Sequence, residues 1–219
     1  MRCVIVLAGE IRDDNAAQNW LKAAGRVICA DGGARHLRRL NVRPDMLVGD
    51  LDSISEADLD WLKNQQVPVR KFPVSKDETD SELAIMTTLA DLPEPREQHE
   101  IIILAALGSR PDHVLANQML AARLAAESWR LMLSDGETCI YTLTAGQILI
   151  LEPDITQTIS AIPVAGPVSG LTYEGLLYPL DNVTLPLGST RGVSNRVAEN
   201  PVKIWLTNGV LLIIVTPED

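Results

Sequence analysis

A chain of 219 residues that is 46% hydrophobic can bury a sizeable core, and at ~100–200 residues per domain it holds one large domain or two small ones. Its net charge of −10 excludes a nucleic-acid binder working through a basic face, and no apolar run approaches the ~18–20 residues of a membrane-spanning helix. The opening MRCVIVLAGEIRDD shows no cleavage-site pattern, and Cys3, Cys29 and Cys139 each sit in a strand-like apolar run and read as buried thiols, so a cytoplasmic protein is expected.

In chain order, the apolar runs 3–8, 26–30, 46–49, 101–107 and 130–133 alternate with helix-like stretches at 14–24, 34–40, 55–65, 80–91 and 112–127. Continuous apolar strands separated by helices predict a mostly parallel sheet covered on both faces. Within the last stretch Leu115, Met119 and Ala122 recur at helical spacing and are expected to face that sheet. The polar, proline-punctuated DLPEPREQHE (91–100) reads as a loop inside this domain. From about residue 137 the chain turns to short β-type runs, 139–143, 147–151, 158–164, 202–206 and 210–215, broken by Gly, Pro, Asn and Asp. Residues 1–139 hold 16 Lys/Arg and 22 Asp/Glu, whereas 140–219 hold 3 and 7. The expected fold is therefore α/β, a Rossmann-like, mostly parallel domain over 1–136 followed by an antiparallel β-sandwich over 137–219.

Four acidic segments lie at predicted strand ends, where open α/β sheets place their ligands. In Ala30-Asp31-Gly32-Gly33-Ala34 the glycines allow close approach of a ligand, and Asp31 either reaches into the crevice or caps the next helix. In Gly49-Asp50-Leu51-Asp52-Ser53, an extended backbone would aim Asp50 and Asp52 at one point and turn Leu51 to the core. Two like charges held that close call for a cation; the competing reading is a solvated turn in which Asp52 or Ser53 caps a helix. In Ser75-Lys76-Asp77-Glu78-Thr79-Asp80, Thr79 and Glu82 fit a capping box, while Lys76, Asp77 and Asp80 suit a phosphate and its metal at a helix N-terminus. In Leu107-Gly108-Ser109-Arg110-Pro111-Asp112-His113, Pro111 suits a first helical turn and Arg110 a phosphate clamp, with His113 read as structural ahead of a base. An acidic protein binds a polyphosphate by placing divalent cations between carboxylates and phosphate oxygens, which points to magnesium. No G-x-S-x-G, H-E-x-x-H or Walker sequence is present, so the chemistry is not that of a P-loop kinase.

Taken in order, ADGGA (30–34), PDMLVGDLDSI (44–54), KDETDSELAI (76–85) and LGSRPDHVLAN (107–117) resemble the catalytic domain of thiamine pyrophosphokinases. SAIPVAGPVSGLTYEGLLYPL (160–180) and RGVSN (191–195) are similar to the β domain of that family, so the resemblance spans nearly the whole chain. It implies an enzyme that transfers the terminal diphosphate of ATP to the hydroxyl of thiamine and releases AMP. It also implies a homodimer with active sites at the subunit interface, each thiamine pocket completed by the partner's β domain. By position, Asp31, Asp50, Asp52 and Asp80 would surround magnesium and the diphosphate. Asp50, Asp52, Asp77 and Asp80 would then be the catalytic carboxylates, Lys76, Thr79, Arg110 and Asp112 would help Asp31 to position ATP, and Ser194 and Asn195 would line the thiamine pocket. The general base stays open between the Asp77 to Asp80 group and Asp112. Ser109 and Leu177 depart from the family pattern without touching a carboxylate, Arg196 stands where an acidic residue often follows Ser-Asn, and Leu212 stands where some relatives carry a late aromatic. The competing functions are diphosphate transfer to another hydroxyalkyl heterocycle such as a pterin alcohol, and a noncatalytic thiamine or nucleotide sensor.

Overall fold

The computed structural model describes residues 1–73, 75, 77–108 and 110–218. The chain divides into two compact units, one comprising Met1–Gln118 with Leu133–Glu137, the other Met119–Met132 with the chain from Thr138 onward.

In the first unit β1 (Arg2–Val6), β2 (Arg26–Ala30), β3 (Met46–Gly49), β4 (Val69–Lys71) and β5 (Glu100–Leu104) alternate with helices. These are α1 (Asp14–Lys22), α2 (Ala34–Leu40), α3 (Glu56–Asn64) and α4 (Asp80–Ala90), with α5 (Pro111–Ala126) and β6 (Arg130–Ser134) next in the chain. The strands lie in the order β5-β1-β2-β3-β4, every pair parallel. Cys3 to Val6 and Ile101 to Leu104 are almost wholly buried on both sides of the pleat, which is why these strands read as unbroken apolar runs. The short strand β4 has three exposed residues and gave no apolar signal.

Chain order reverses beside β1. Successive strands step away through β2, β3 and β4, and β5 then returns to the opposite side of β1. In such a sheet the crevice at the carboxyl ends of the two diverging strands is the natural ligand site. Gly33 lets the turn after β2 close over the end of β1, since a Cβ there would sit 2.2 Å from the Val6 carbonyl oxygen.

In α5 the expected face is corrected. Ala122 is buried, but Leu115 is 57% and Met119 40% exposed. The Asn117 amide donates to the Ala106 carbonyl at 3.0 Å, and Asn117, Ala121 and Leu124, at helical spacing, are buried instead. Residues two positions from Asn117 on either side then point away from that face.

The second unit is an antiparallel sandwich. Its strands are β7 (Cys139–Thr144), β8 (Ile148–Leu151), β9 (Gln157–Pro163), β10 (Val168–Glu174), β11 (Val183–Leu185), β12 (Asn195–Arg196), β13 (Val202–Trp205) and β14 (Val210–Pro217). One sheet runs β12-β9-β14-β7 and the other β11-β10-β13-β8. Alternate residues such as Leu211, Ile213 and Val215 of β14 meet Leu171, Tyr173 and Ile204 of the facing sheet in one apolar cluster. Strands β10 and β11 lay in sequence broken by Gly170 and Asn182, which hid them from periodicity. Both residues have positive φ, and pairing between β10 and β11 shifts register between Val168 and Leu171.

Ile213→Ala is expected to cost ~2–5 kcal/mol of unfolding free energy by urea titration, because the cavity opens inside the sandwich core. Met119→Ala is expected to change it by less than ~0.5 kcal/mol; a large loss there would restore the inward-facing reading of α5.

Candidate active site

The carboxyl ends of the first unit's strands open into a cleft of about 400 Å³. Its walls include the turn after β1, the Asp31-Gly32 turn, Thr79 and Asp80, and the segment after β5 with Arg110 and His113.

Asp31 leaves β2 in a short 3-10 turn, Asp31–Gly33, with φ of +30°, a region that non-glycine residues rarely occupy. It is not a helix cap: Gly33 stands at the N-cap of α2, with no side-chain capping bond. The Asp31 side chain is 1% exposed. Its Oδ2 accepts from the Ser53 hydroxyl at 2.5 Å and from the Ser53 N–H at 3.1 Å. Its Oδ1 is buried and has no hydrogen-bond partner among the described residues.

Asp50 and Asp52 come together by a different route from the extended one expected. Leu51 adopts φ of +73° and is only half-buried, so the chain bends, and the Asp52 N–H donates to Asp50 Oδ1 at 3.1 Å. Gly49 has φ of +152°, and a Cβ there would lie 2.9 Å from the Asp31 Cβ and 3.2 Å from its Cγ. A side chain at that position would block the convergence. Neither Asp52 nor Ser53 caps a helix; Ser55 does so for α3, accepting from the Asp58 N–H at 3.1 Å.

Asp80 is the first residue of α4, whose N-cap Thr79 accepts from the Glu82 N–H at 3.1 Å. One carboxylate oxygen from each of Asp31, Asp50, Asp52 and Asp80 falls within 4.8 Å of the other three. Asp77 is exposed and lies outside that group among the described residues. Lys76 and Ser109 lie outside the described residues. The hydrogen bond with Asp50, then its charge, pushes the Asp52 carboxyl above the usual carboxylate range, with smaller contributions from burial, Asp31 and Asp80. A divalent cation would relieve that repulsion and could partner the buried Asp31 Oδ1, and an all-oxygen set of this kind fits magnesium.

Arg110 reaches the cleft wall while pairing with Asp112, Nη2 to Oδ2 at 2.7 Å, and that guanidinium holds the Asp112 carboxyl below its ordinary range. Sequence reasoning missed Arg35, which also lines the cleft; it donates to the Ala8 carbonyl and, at 2.8 Å, to the Gly9 carbonyl. The neighbouring His36 Nε2 lies 2.8 Å from the same Gly9 oxygen, and burial pulls the ring's pKa down. Nothing in the spacing of Arg35 and His36 marked them.

In the second unit the Asn195 carboxamide accepts from the N–H groups of Tyr178 (3.0 Å) and Arg196 (2.9 Å) and donates to the Tyr178 carbonyl (2.8 Å). Its polar atoms therefore hold the segment around Tyr178. Ser194 is exposed, with φ of +57° and its N–H donating to Ser160 Oγ at 3.0 Å. Of the departing residues, Leu212 is buried on β14, Leu177 is 52% exposed, and Arg196 pairs with Glu218.

A family model described as thiamin pyrophosphokinase, catalytic domain, matches residues 17–133, and one described as thiamin pyrophosphokinase, vitamin B1 binding domain, matches 147–211. The chain belongs to the thiamin pyrophosphokinase family. It is 28% identical over 187 residues to the thiamine pyrophosphokinase of Bacillus subtilis strain 168, with 85% of each chain covered. It is 28% identical over 204 residues to thiamine pyrophosphokinase 1 of Oryza sativa subsp. japonica, covering 84% of this chain and 76% of that one. The crystal structure of the thiamine pyrophosphokinase from Bacillus subtilis matches over all of both chains with a TM-score of 0.85 at 26% identity. The thiamin pyrophosphokinase from Candida albicans, at 19% identity and a TM-score of 0.80, shares the fold.

A carboxyl whose folded pKa is raised favours the folded state when protonated, and that contribution is lost as pH rises through the folded value. The acidic group therefore costs most near neutrality, where a bound cation would relieve it. Magnesium is expected to raise the Tm more at about pH 7 than at about pH 4, where protons compete for the same oxygens. Equal increments at both pH values in thermal melts would place the cation elsewhere.

Proposed function

We propose that this member of the thiamin pyrophosphokinase family uses the cleft of its first unit to transfer diphosphate from ATP to thiamine, with the four converging carboxylates holding magnesium. The observation that carries the reading is the convergence of Asp31, Asp50, Asp52 and Asp80 within 4.8 Å, two of them, Asp31 and Asp80, lining a cleft about 400 Å³ in volume, the size of a small-ligand pocket. Magnesium bound there would neutralise charge on the phosphate oxygens.

In the proposed reaction the thiamine hydroxyl oxygen attacks the β-phosphorus of ATP in line. A new O–P bond forms, the bond from the β-phosphorus to the bridging oxygen breaks, AMP departs with that oxygen, and the hydroxyl proton is released. The chain's own contribution is position and field: carboxylates fixed at strand ends, and Arg110 on the cleft wall available to a phosphate oxygen. Lys76, Thr79 and Asp112 belong to the same nucleotide-positioning set, and Asp77 and Asp112 stand as acceptors for the released proton.

We assign the catalytic domain to residues 1–136 and a thiamine-binding and dimerisation domain to 137–219, with Ser194 and Asn195 in the thiamine pocket. A homodimer with its active sites at the subunit interface agrees with the exposed apolar side chains of the second unit, Ile148, Ile150, Ile155, Leu177, Tyr178 and Leu187. The three free cysteines, two of them buried, suit a reducing cytoplasm, and among the described residues no helix is long and apolar enough to cross a membrane.

With magnesium and ATP, AMP is expected only when thiamine is added, together with thiamine diphosphate identified by mass. Thiamine binding without AMP would make the protein a sensor, and AMP release with a pterin alcohol alone would change the acceptor. Asp52→Asn and Asp80→Asn are each expected to lower turnover by on the order of 100-fold or more with the unfolding transition retained; wild-type rates in either would remove the metal site.

A further inference from the structure

We propose that Ser53 is a positioning residue: it engages one oxygen of Asp31 with both of its donors, so that the other oxygen is the one presented to the divalent cation. This rests on the metal-binding reading of the acidic group and assigns a residue outside the four carboxylates.

The carboxylate of Asp31 is constrained from three directions. Its backbone φ of +30° sets the direction of the Cα–Cβ bond, a strained conformation that persists only where the surroundings over-determine it. Against its flank lies Gly49, the residue at which a Cβ would come within 2.9 Å of the Asp31 Cβ. From the third side Ser53 donates twice to the same oxygen, the hydroxyl at 2.5 Å and the backbone N–H at 3.1 Å. Both bonds leave Oδ1 buried and unpartnered in a side chain only 1% exposed. A buried carboxylate oxygen without a donor is costly unless a cation completes it.

Ser53 also stands one residue beyond Asp52, on the bend that carries Asp50 and Asp52. Its hydroxyl bond therefore joins the turn after β2 to the turn after β3 and holds two ligand-bearing segments in one register. Both bonds are charge-assisted and go to the same oxygen; the hydroxyl bond is the shorter of the two and the one that a side-chain substitution removes. Ser53 does not cap α3, whose cap is Ser55, so the bond to Asp31 is its described side-chain partnership.

The test uses the whole chain and Mn²⁺ alone, with affinity read by electron paramagnetic resonance in the absence of nucleotide. Ser53→Ala is expected to weaken Mn²⁺ binding roughly 10- to 100-fold, the usual cost of removing an outer-shell partner, with the thermal midpoint within a few degrees of wild type. Ser53→Thr keeps the hydroxyl and is expected to bind within about threefold of wild type. In turnover, Ser53→Ala should need more Mg²⁺ for half-maximal rate and recover most of its kcat at saturating Mg²⁺. Unchanged Mn²⁺ affinity in Ser53→Ala overturns the proposal, as does a loss that tracks a lowered Tm and is not restored in Ser53→Thr. A wild type that fails to bind Mn²⁺ overturns it too. A wild type that binds Mn²⁺ but releases no AMP overturns the transferase reading alone, and the affinity ratio of the variants still decides the role of Ser53.

Discussion

Four carboxylates held against one another are the constraint around which the first unit is organised. Like charges at such separation repel, and in a partly desolvated crevice the repulsion is poorly screened. The chain accepts this cost through backbone geometry that is itself unfavourable. Asp31 and Leu51 both take positive φ, and Gly49 gives up its side chain so that the Asp31 carboxyl can lie against it. Backbone strain at Asp31 and Leu51, beside the close approach that Gly49 allows, is the kind of feature a preorganised ligand site uses.

The parallel sheet makes that organisation possible. Its strands all end on the same edge, so residues 31, 50 and 80, far apart in the chain, arrive on neighbouring turns. The reversal of strand order beside β1 opens a crevice next to those turns, because the connections after β1 and β5 leave in opposite directions. Helix ends contribute differently from the way a capping pattern suggests. Ser55 and Thr79 take the caps of α3 and α4, so neither Asp52 nor Asp80 stands at an N-cap.

The second unit solves a separate problem, the burial of apolar strands without helices. Its two sheets cover one another's inner faces, and their alternating residues form a continuous apolar cluster. Asn195 shows how a residue picked out by a short motif can carry a structural duty as well. Its carboxamide accepts from the N–H groups of Tyr178 and Arg196 and donates to the Tyr178 carbonyl, which fixes the segment around Tyr178.

The sequence by itself determined the class of each half, because burial on both faces leaves unbroken apolar runs and a sandwich leaves short ones between turn residues. It also marked the acidic segments, since glycine and aspartate at strand ends are legible without any neighbour. Short or exposed elements such as β4, and strands interrupted by a positive-φ residue such as Gly170, carry too little periodic signal to be read. Tertiary structure alone decided which way α5 faces, through one amide bond from Asn117 to the Ala106 carbonyl that apolar spacing does not encode. It alone decided that Asp50 and Asp52 meet across a bend at Leu51, and that Ser53 engages Asp31 twenty-two residues away in the chain. Pattern reports what each residue prefers locally; hydrogen bonds and close approaches between distant segments exist only once the sheet has brought them together.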